Sequence, residues 1–142
     1  MPKQAKGAKK EKGLTDRDRF YVQSDKHHLF QQLTQGDDAP FPQITNVFVV
    51  AAALGYRAGT KIPLKGTQHV GFWRSFSLQE EVPLLQAISV ADTGDVSVLA
   101  EQGEVISIAE QYANVGIDLL VDMVRADRDR TLRSVAAAAA RP

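Results

Sequence analysis

The sequence V-F-V-V-A-A-A-L-G-Y, at Val47–Tyr56, contains the longest nearly apolar run of the chain, Val47–Leu54. We expect Thr45 or a neighbouring residue to cap a helix over this run, and Gly55 to end it in left-handed geometry. Such a helix is apolar almost all round, so it has no face to give to solvent. It is therefore predicted to be the central element of the fold. The run is far shorter than the roughly 20 residues that span a bilayer.

Two elements are predicted on the N-terminal side of this helix. Phe20–Val22 is a short patch of β-prone residues. Ser24 is the expected N-cap of a helix over Asp25–Gln35, which carries an apolar stripe at Leu29, Phe30 and Leu33. A cluster of glycine, aspartate and proline over residues 36–42 then separates this helix from the central one.

Two further helices follow the central one after an irregular segment. Ser77 and Glu80 have the spacing of a capping box, which predicts the start of a helix that runs toward Ala91. Val96–Glu101 predicts a short helix that ends at Gly103.

The last helix is predicted to be the longest. Apolar residues recur at spacings of three and four over residues 104–125, at Val105, Ile108, Ala109, Tyr112, Gly116, Leu119, Leu120 and Met123. The fold class is therefore mainly α, a compact helical domain of four to five helices with a short strand or hairpin. We predict a disordered, mobile basic arm over residues 1–13, one helical domain over 14–125 and a weakly ordered charged and alanine-rich tail over 126–142.

Charge is divided unevenly along the chain. The 17 basic and 17 acidic residues cancel overall. Residues 1–13 and residues 57–74 each carry a net charge of +4, whereas residues 77–124 contain nine acidic residues and no lysine or arginine. This separation favours partners of opposite sign on different surfaces.

Residues 57–74, which we call the basic segment, lie between the central helix and the third helix and are the candidate binding surface. It is predicted to be an ordered loop with a short strand at Lys61–Leu64. Its candidate nucleic-acid or partner-binding residues are Arg57, Lys61, Lys65, Arg74 and Trp73. The cations suit phosphates, and an exposed aromatic side chain can stack on a base. The alternative interpretation is that Phe72, Trp73 and Phe76 close the core while the cations face water.

The sequence does not support catalysis. There is no cysteine, so thiolate nucleophiles and zinc thiolates are excluded. His27 and His28 are adjacent and point about 100 degrees apart on a helix, and His69 lies in another segment, so a metal site is not expected. Phosphate-loop, serine-elbow and zinc-protease motifs are absent from the sequence. We expect a cytoplasmic protein without catalytic residues, metal or cofactor, and without membrane contact.

Several short blocks together resemble a known family. They are Pro40, Phe41 and Gln43; the run Val47–Tyr56; Ile62, Pro63 and Leu64; Thr93, Gly94 and Asp95; and Glu110–Gly116, which reads E-Q-Y-A-N-V-G. In this order they resemble the small DNA phosphorothioation-associated (Dnd system-associated) proteins of bacteria, with Val115 where a second glycine is expected. The resemblance implies an accessory or adaptor protein of a prokaryotic defence system that marks or attacks DNA, with other proteins of that system as partners. Direct contact with double-stranded DNA is an additional hypothesis. It carries over no catalytic residue.

Two other classes of protein remain open from the residues alone. Phe20–Val22 followed by two helices is similar to a ribbon-helix-helix repressor, in which paired strands from a dimer enter the major groove. A structural adaptor that binds protein and never touches DNA is the other. The acidic stretch 77–124 favours the adaptor, because phosphates repel it and a basic protein surface attracts it.

Overall fold

The structure is a computed structural model that describes residues 18–139. The predicted basic arm lies outside the described residues. In chain order the elements are β1 (Arg19–Gln23), a 3₁₀ turn (Ser24–Lys26), α1 (His27–Gln32), α2 (Ile44–Ala58), β2 (His69–Trp73), α3 (Glu81–Thr93), a second 3₁₀ helix (Val96–Ala100) and α4 (Gln102–Ala139). The predicted mainly α fold with a small β element is confirmed.

The two strands form an antiparallel sheet in which Phe20 pairs with Phe72. The β-prone patch predicted at Phe20–Val22 lies within β1. The strand predicted at Lys61–Leu64 is wrong, because the second strand is β2 and residues 61–64 have no regular structure. The backbone of this segment forms hydrogen bonds with helix α4 instead. Ile62 donates its amide to the carbonyl of Gln111, and Asn114 donates to the carbonyl of Ile62.

Helix α1 is shorter than predicted. The 3₁₀ turn at Ser24–Lys26 precedes it, and the helix ends at Gln32 rather than Gln35. Ser24 makes no side-chain cap, so its predicted role as N-cap is wrong. The apolar stripe is nevertheless buried, since Phe30 and Leu33 lie in the core.

Helix α2 does not end at Gly55. Its last residue is Ala58, and Gly59, which has a left-handed φ of 76°, is the C-cap. The N-terminus is capped by a reciprocal pair, because the side chain of Gln43 accepts from the amide of Asn46 and the side chain of Asn46 accepts from the amide of Gln43. Gly55 is helical and buried, and a Cβ there would overlap the carbonyl oxygen of Tyr112 on α4.

Helix α4 shares the central position that was predicted for α2 alone. It packs along α2 and also contacts β1, α1, α3 and the second 3₁₀ helix. At Gly116 a Cβ would overlap the carbonyl oxygen of Ala51, so the α2 and α4 backbones touch where both helices lack side chains. Past Arg125 the helix continues to Ala139. The division into an arm, a domain over residues 14–125 and a tail stays a prediction. Among residues 18–139, no helix combines the length and the apolar character that crossing a membrane requires.

The predicted start of α3 needs one correction. Ser77 Oγ accepts from the amide of Glu80, as in a capping box, but the carboxylate that reaches back to the amide of Ser77 belongs to Glu81. The helix begins at Glu81 and ends at Thr93, before the left-handed Gly94.

Gly103 does not end the short helix near residue 100. That helix ends at Ala100, and Gly103 is buried in the first turn of α4. The amides of Glu104 and Val105 both donate to the carbonyl of Glu101, so the hydrogen bonds of α4 already begin there.

Candidate functional site

The four cations of the basic segment have different environments. Arg57 is exposed in the last turn of α2, and Lys65 is exposed in the loop before β2. Lys61 Nζ lies 2.7 Å from Asp92 Oδ2 in an ion pair. Arg74 is half-buried, lines a cleft described below and makes its own interactions within the chain. Two of the four cations are therefore engaged by the fold.

The aromatic residues of this segment divide in the same way. The rings of Phe72 and Phe76 pack against Phe20, with ring centroids 5.5 and 5.2 Å from that of Phe20, and help to close the core. Trp73 is 62% exposed, and the guanidinium of Arg19 lies 4.3 Å from its ring centroid. The interpretation that all three aromatics close the core is wrong for Trp73, because alternate residues of β2 face opposite sides of the sheet.

The block Glu110–Gly116 of α4 points its polar groups into the molecule. Glu110 is buried, and its Oε2 accepts from the amide of Tyr21 at 2.8 Å. Gly116 lies against Ala51. These residues attach β1 and α2 to α4.

Asn114 is the centre of a buried hydrogen-bond network. Its Nδ2 donates to Gln23 Oε1 at 3.1 Å and to the carbonyls of Ile62 and Pro63. Gln23 Oε1 also accepts from the amide of Lys65 at 2.7 Å. One side chain of α4 thus holds the end of β1 and the start of the basic segment together.

Lys26 and Gln23 belong to this network but were missed by the sequence analysis. Lys26 Nζ donates to the carbonyl of Asn114 at 2.6 Å and to Asp118 Oδ2 at 2.8 Å. Nothing in the local sequence signals these roles, since the two partners on α4 are about 90 residues away.

A second polar cluster joins α3, α4 and the basic segment. Tyr112 Oη donates to Asp92 Oδ1 at 2.5 Å, and Lys61 donates to the other oxygen. Burial opposes ionisation of Asp92, but the hydrogen bonds from Lys61 and Tyr112 outweigh it and lower its pKa. Burial and the hydrogen bond to Asp92 raise the pKa of Tyr112 to about 12.

The three histidines lie in separate environments. The ring of His27 packs near Phe72, His28 is exposed, and His69 Nε2 lies 3.0 Å from the carbonyl of Gly66. Within residues 18–139, no group of three or more histidine and carboxylate side chains is placed to hold a metal ion.

An apolar cleft opens where the segment after β2 meets α3, the second 3₁₀ helix and the start of α4. We call it the α3–α4 cleft. Its volume is about 140 Å³, and it is lined by Arg74, Phe76, Leu78, Val82, Leu85, Gln86, Leu99, Gln102, Val105 and Ile106. Leu78 is 82% exposed at its edge. Val96, which is 70% exposed, lies three residues before Leu99, and residues at this spacing align on a 3₁₀ helix.

The cleft lies within the acidic part of the chain. Glu80 follows Leu78 by two residues, Glu101 adjoins Gln102, and both are exposed. Glu104, in the first turn of α4, is also exposed. The acidic stretch was recognised in the sequence, but the apolar cleft within it was not, because Leu78 and Leu99 look like ordinary core positions.

A larger groove of about 760 Å³ lies between the loop around Pro40 and the C-terminal half of α4. Leu120, Met123 and Val124 line it. Among its described lining residues, two are acids and two are bases, Asp38, Asp127, Arg128 and Arg130, and Arg128 donates to the carbonyl of Asp38. The described lining of the groove is therefore balanced in charge, whereas the α3–α4 cleft has exposed glutamates next to its lining residues in the sequence.

The chain matches the model of a known protein family. The model of a family described as DNA sulphur modification system-associated protein 4 matches residues 19–140. No curated protein and no solved structure matches this chain.

Proposed function

This chain belongs to the family of DNA sulphur modification system-associated protein 4, and we propose that it is a non-enzymatic adaptor of such a system. On this proposal it acts in the cytoplasm, binds other proteins of a phosphorothioation-linked anti-phage defence system, and uses neither metal nor cofactor.

The observation that carries the proposal is the α3–α4 cleft. Leu78 and Leu99 line this apolar cleft and are 82% and 38% exposed, so they form with it an exposed apolar patch, and such patches mark sites where another molecule binds. The surrounding residues 77–124 carry nine acids and no lysine or arginine, so a protein with a basic surface suits this region better than nucleic acid does.

The internal polar clusters support the same proposal. Asp92, Glu110, Tyr112 and Asn114 are the residue types from which an active site is built. Here each is hydrogen-bonded to another part of the chain, to Lys61, Tyr21, Asp92 and Gln23 respectively. Their contacts account for the packing of β1, α3 and the basic segment on α4 without a chemical role.

Co-purification tests the proposal. The full chain, tagged at one end, is expressed together with the other proteins of its sulphur modification system and purified at about 150 mM salt. A complex of fixed stoichiometry on size-exclusion chromatography with light scattering is expected. The proposal is wrong if the tagged chain elutes alone with every protein of the system.

Direct contact with DNA is the second candidate function, and Trp73 is the observation in its favour. Trp73 and Arg19 form an exposed aromatic and cation pair, while Arg57 and Lys65 form no ion pair with other described residues. If Arg57 and Lys65 each neutralise one phosphate, the slope of log affinity against log salt is about −1.8. Duplex binding by the full chain with this slope, lost in Arg57→Ala/Lys65→Ala, would favour the second candidate.

The pairing of β1 does not favour the ribbon-helix-helix alternative. Its strands pair between two chains of a dimer, whereas β1 pairs with β2 of its own chain.

A further inference from the structure

We infer that the α3–α4 cleft takes a basic segment of a partner protein, anchored by one large apolar side chain. This inference rests on the proposed adaptor function and states the chemistry of the partner that the adaptor binds.

The size of the cleft sets the size of the anchor. An apolar cavity of about 150 Å³ accommodates a benzene-sized group, and the α3–α4 cleft has about 140 Å³. Seven of its ten described lining residues are apolar, and four of the seven are buried: Phe76, Leu85, Val105 and Ile106. One leucine, methionine or phenylalanine side chain therefore fills it, whereas a whole helix does not enter.

The residues around the opening extend the apolar surface. Leu78 stands almost fully exposed at one edge, and Val96 continues the surface beyond Leu99 on the second 3₁₀ helix. A partner segment that places its anchor in the cleft also covers these side chains. Leu84 has almost the same exposure as Leu99, 40% against 38%, yet does not line the cleft. It serves as a matched control.

The charge around the cleft selects a basic partner. Several acids of the stretch 77–124 are engaged within the chain: Glu81 with Asn46, Asp92 with Lys61, Glu110 with Tyr21, and Asp118 with Lys26. Glu80, Glu101 and Glu104 are exposed, and their carboxylates make no hydrogen bond or ion pair with the described residues. These three carboxylates flank the cleft in sequence and are available to lysine or arginine.

Arg74 does not reverse this preference. It is the one cation among the described lining residues, and it already makes an interaction within the chain. An acidic segment or a nucleic acid would meet the three exposed glutamates without a comparable set of cations, and like charges at this range repel.

The test uses three fluorescein-labelled peptides of 12 residues and the full chain, with binding followed by fluorescence anisotropy at about 50 mM salt. The first peptide has lysines around one central leucine, the second replaces that leucine by serine, and the third replaces the lysines by glutamates. The first peptide is expected to bind at least ten-fold more tightly than either of the others. Equal binding of the first two peptides, or tighter binding of the third, overturns the inference.

Substitutions locate the binding. Leu78→Gln and Leu99→Gln are expected to weaken the first peptide at least five-fold, whereas Leu84→Gln leaves its affinity within two-fold. Glu80→Gln/Glu101→Gln lowers both the affinity and its salt dependence, while Asp122→Asn, about 24 Å along α4 from Ile106 at 1.5 Å per residue, changes neither. If Leu84→Gln weakens binding as much as Leu78→Gln, the peptide binds elsewhere and the inference is wrong.

The peptide result and the co-purification result fail independently. If the leucine peptide binds the cleft but no protein of the system co-purifies, the proposed function is wrong while the cleft chemistry stands. If a complex forms and the peptides are not distinguished, the adaptor stands and its partner binds another surface.

Discussion

The contact between α2 and α4 and the α3–α4 cleft lie on the same long helix and are built in opposite ways. At the contact, Gly55 and Gly116 allow the two helix backbones to touch. The side chains of Asn114 and Tyr112 nearby form hydrogen bonds within the chain. At the cleft, Leu78 is 82% exposed and Leu99 is 38% exposed, so apolar surface faces solvent there. The comparison teaches that the distinctive block Glu110–Gly116 maintains the structure, whereas ordinary leucines form the candidate binding surface.

The largest expected effect is at the helix contact. Gly116→Ala adds a Cβ that overlaps the carbonyl oxygen of Ala51, and backbone atoms cannot move aside cheaply. We expect a loss of about 3 kcal/mol or more in the free energy of unfolding, measured by urea denaturation. Gly59→Ala is the control, because its left-handed φ of 76° is strained but its surroundings are open, and it should cost about 1 kcal/mol. Equal costs at the two positions would contradict the close contact.

A smaller loss is expected at the buried network. Asn114→Ala leaves Gln23 Oε1 and the carbonyls of Ile62 and Pro63 without this donor, which costs about 1–3 kcal/mol. Gln111→Ala on the same helix removes a half-buried side chain that makes no hydrogen bond with the described residues, and it should cost less than about 0.5 kcal/mol. If both variants melt alike, the network does not hold the basic segment to α4.

The cluster at Tyr112 predicts a decline confined to alkaline pH. The pKa of Tyr112 is raised to about 12, from 10.0 for the free side chain. Because the folded state holds this proton more tightly, stability is complete below pH 10 and falls as the pH rises toward 12. The melting temperature of wild type should fall more steeply over this interval than that of Tyr112→Phe, because only the wild type loses the proton of Tyr112. Parallel curves would contradict the assigned cause.

At acid pH the same cluster predicts a change of opposite sense. The pKa of Asp92 is lowered from 3.8, so its contribution to stability is present above this value and is lost as the pH falls through the folded-state pKa. Wild type should therefore lose more stability than Asp92→Asn below about pH 4. A steeper loss in Asp92→Asn would show that the carboxylate is not stabilised by its partners.

The periodicity of apolar residues was sufficient to predict the long helices. It was insufficient to predict whether a glycine ends a helix or lies within one. Gly55 and Gly103 looked like helix ends, and both lie within helices. Gly55 is explained by Tyr112, which is 57 positions away along the chain and therefore invisible to a local pattern. The strand expected at Lys61–Leu64 failed for a related reason, since α4 supplies the hydrogen bonds of that segment.

The candidate site was predictable only in its charge. The acidic stretch 77–124 is plain in the sequence, and the preference for a basic partner follows from it. Neither the exposure of Leu78 and Leu99 nor the ion pair between Lys61 and Asp92 could be predicted, because each depends on how distant segments pack. The basic segment stood out in the sequence because it contains four cations and no acid. In the structure, Lys61 is paired with Asp92 and Arg74 makes an interaction within the chain.

The smallest expected effect on stability is at the cleft. Leu78→Gln changes a side chain that is 82% exposed and should leave the free energy of unfolding within about 0.5 kcal/mol of wild type. A loss comparable to that of Asn114→Ala would mean that Leu78 belongs to the core, and the contrast between the cleft and the helix contact would disappear.

Partner retention by this variant tests whether the cleft binds a partner without contributing to the fold. The tagged full chain carrying Leu78→Gln is co-expressed with the proteins of its sulphur modification system beside wild type and Leu84→Gln. We expect Leu78→Gln to keep the wild-type melting temperature and to lose the co-purifying protein, while Leu84→Gln keeps the co-purifying protein. A Leu78→Gln chain that retains its partner at wild-type stoichiometry would show that the cleft does not bind that partner.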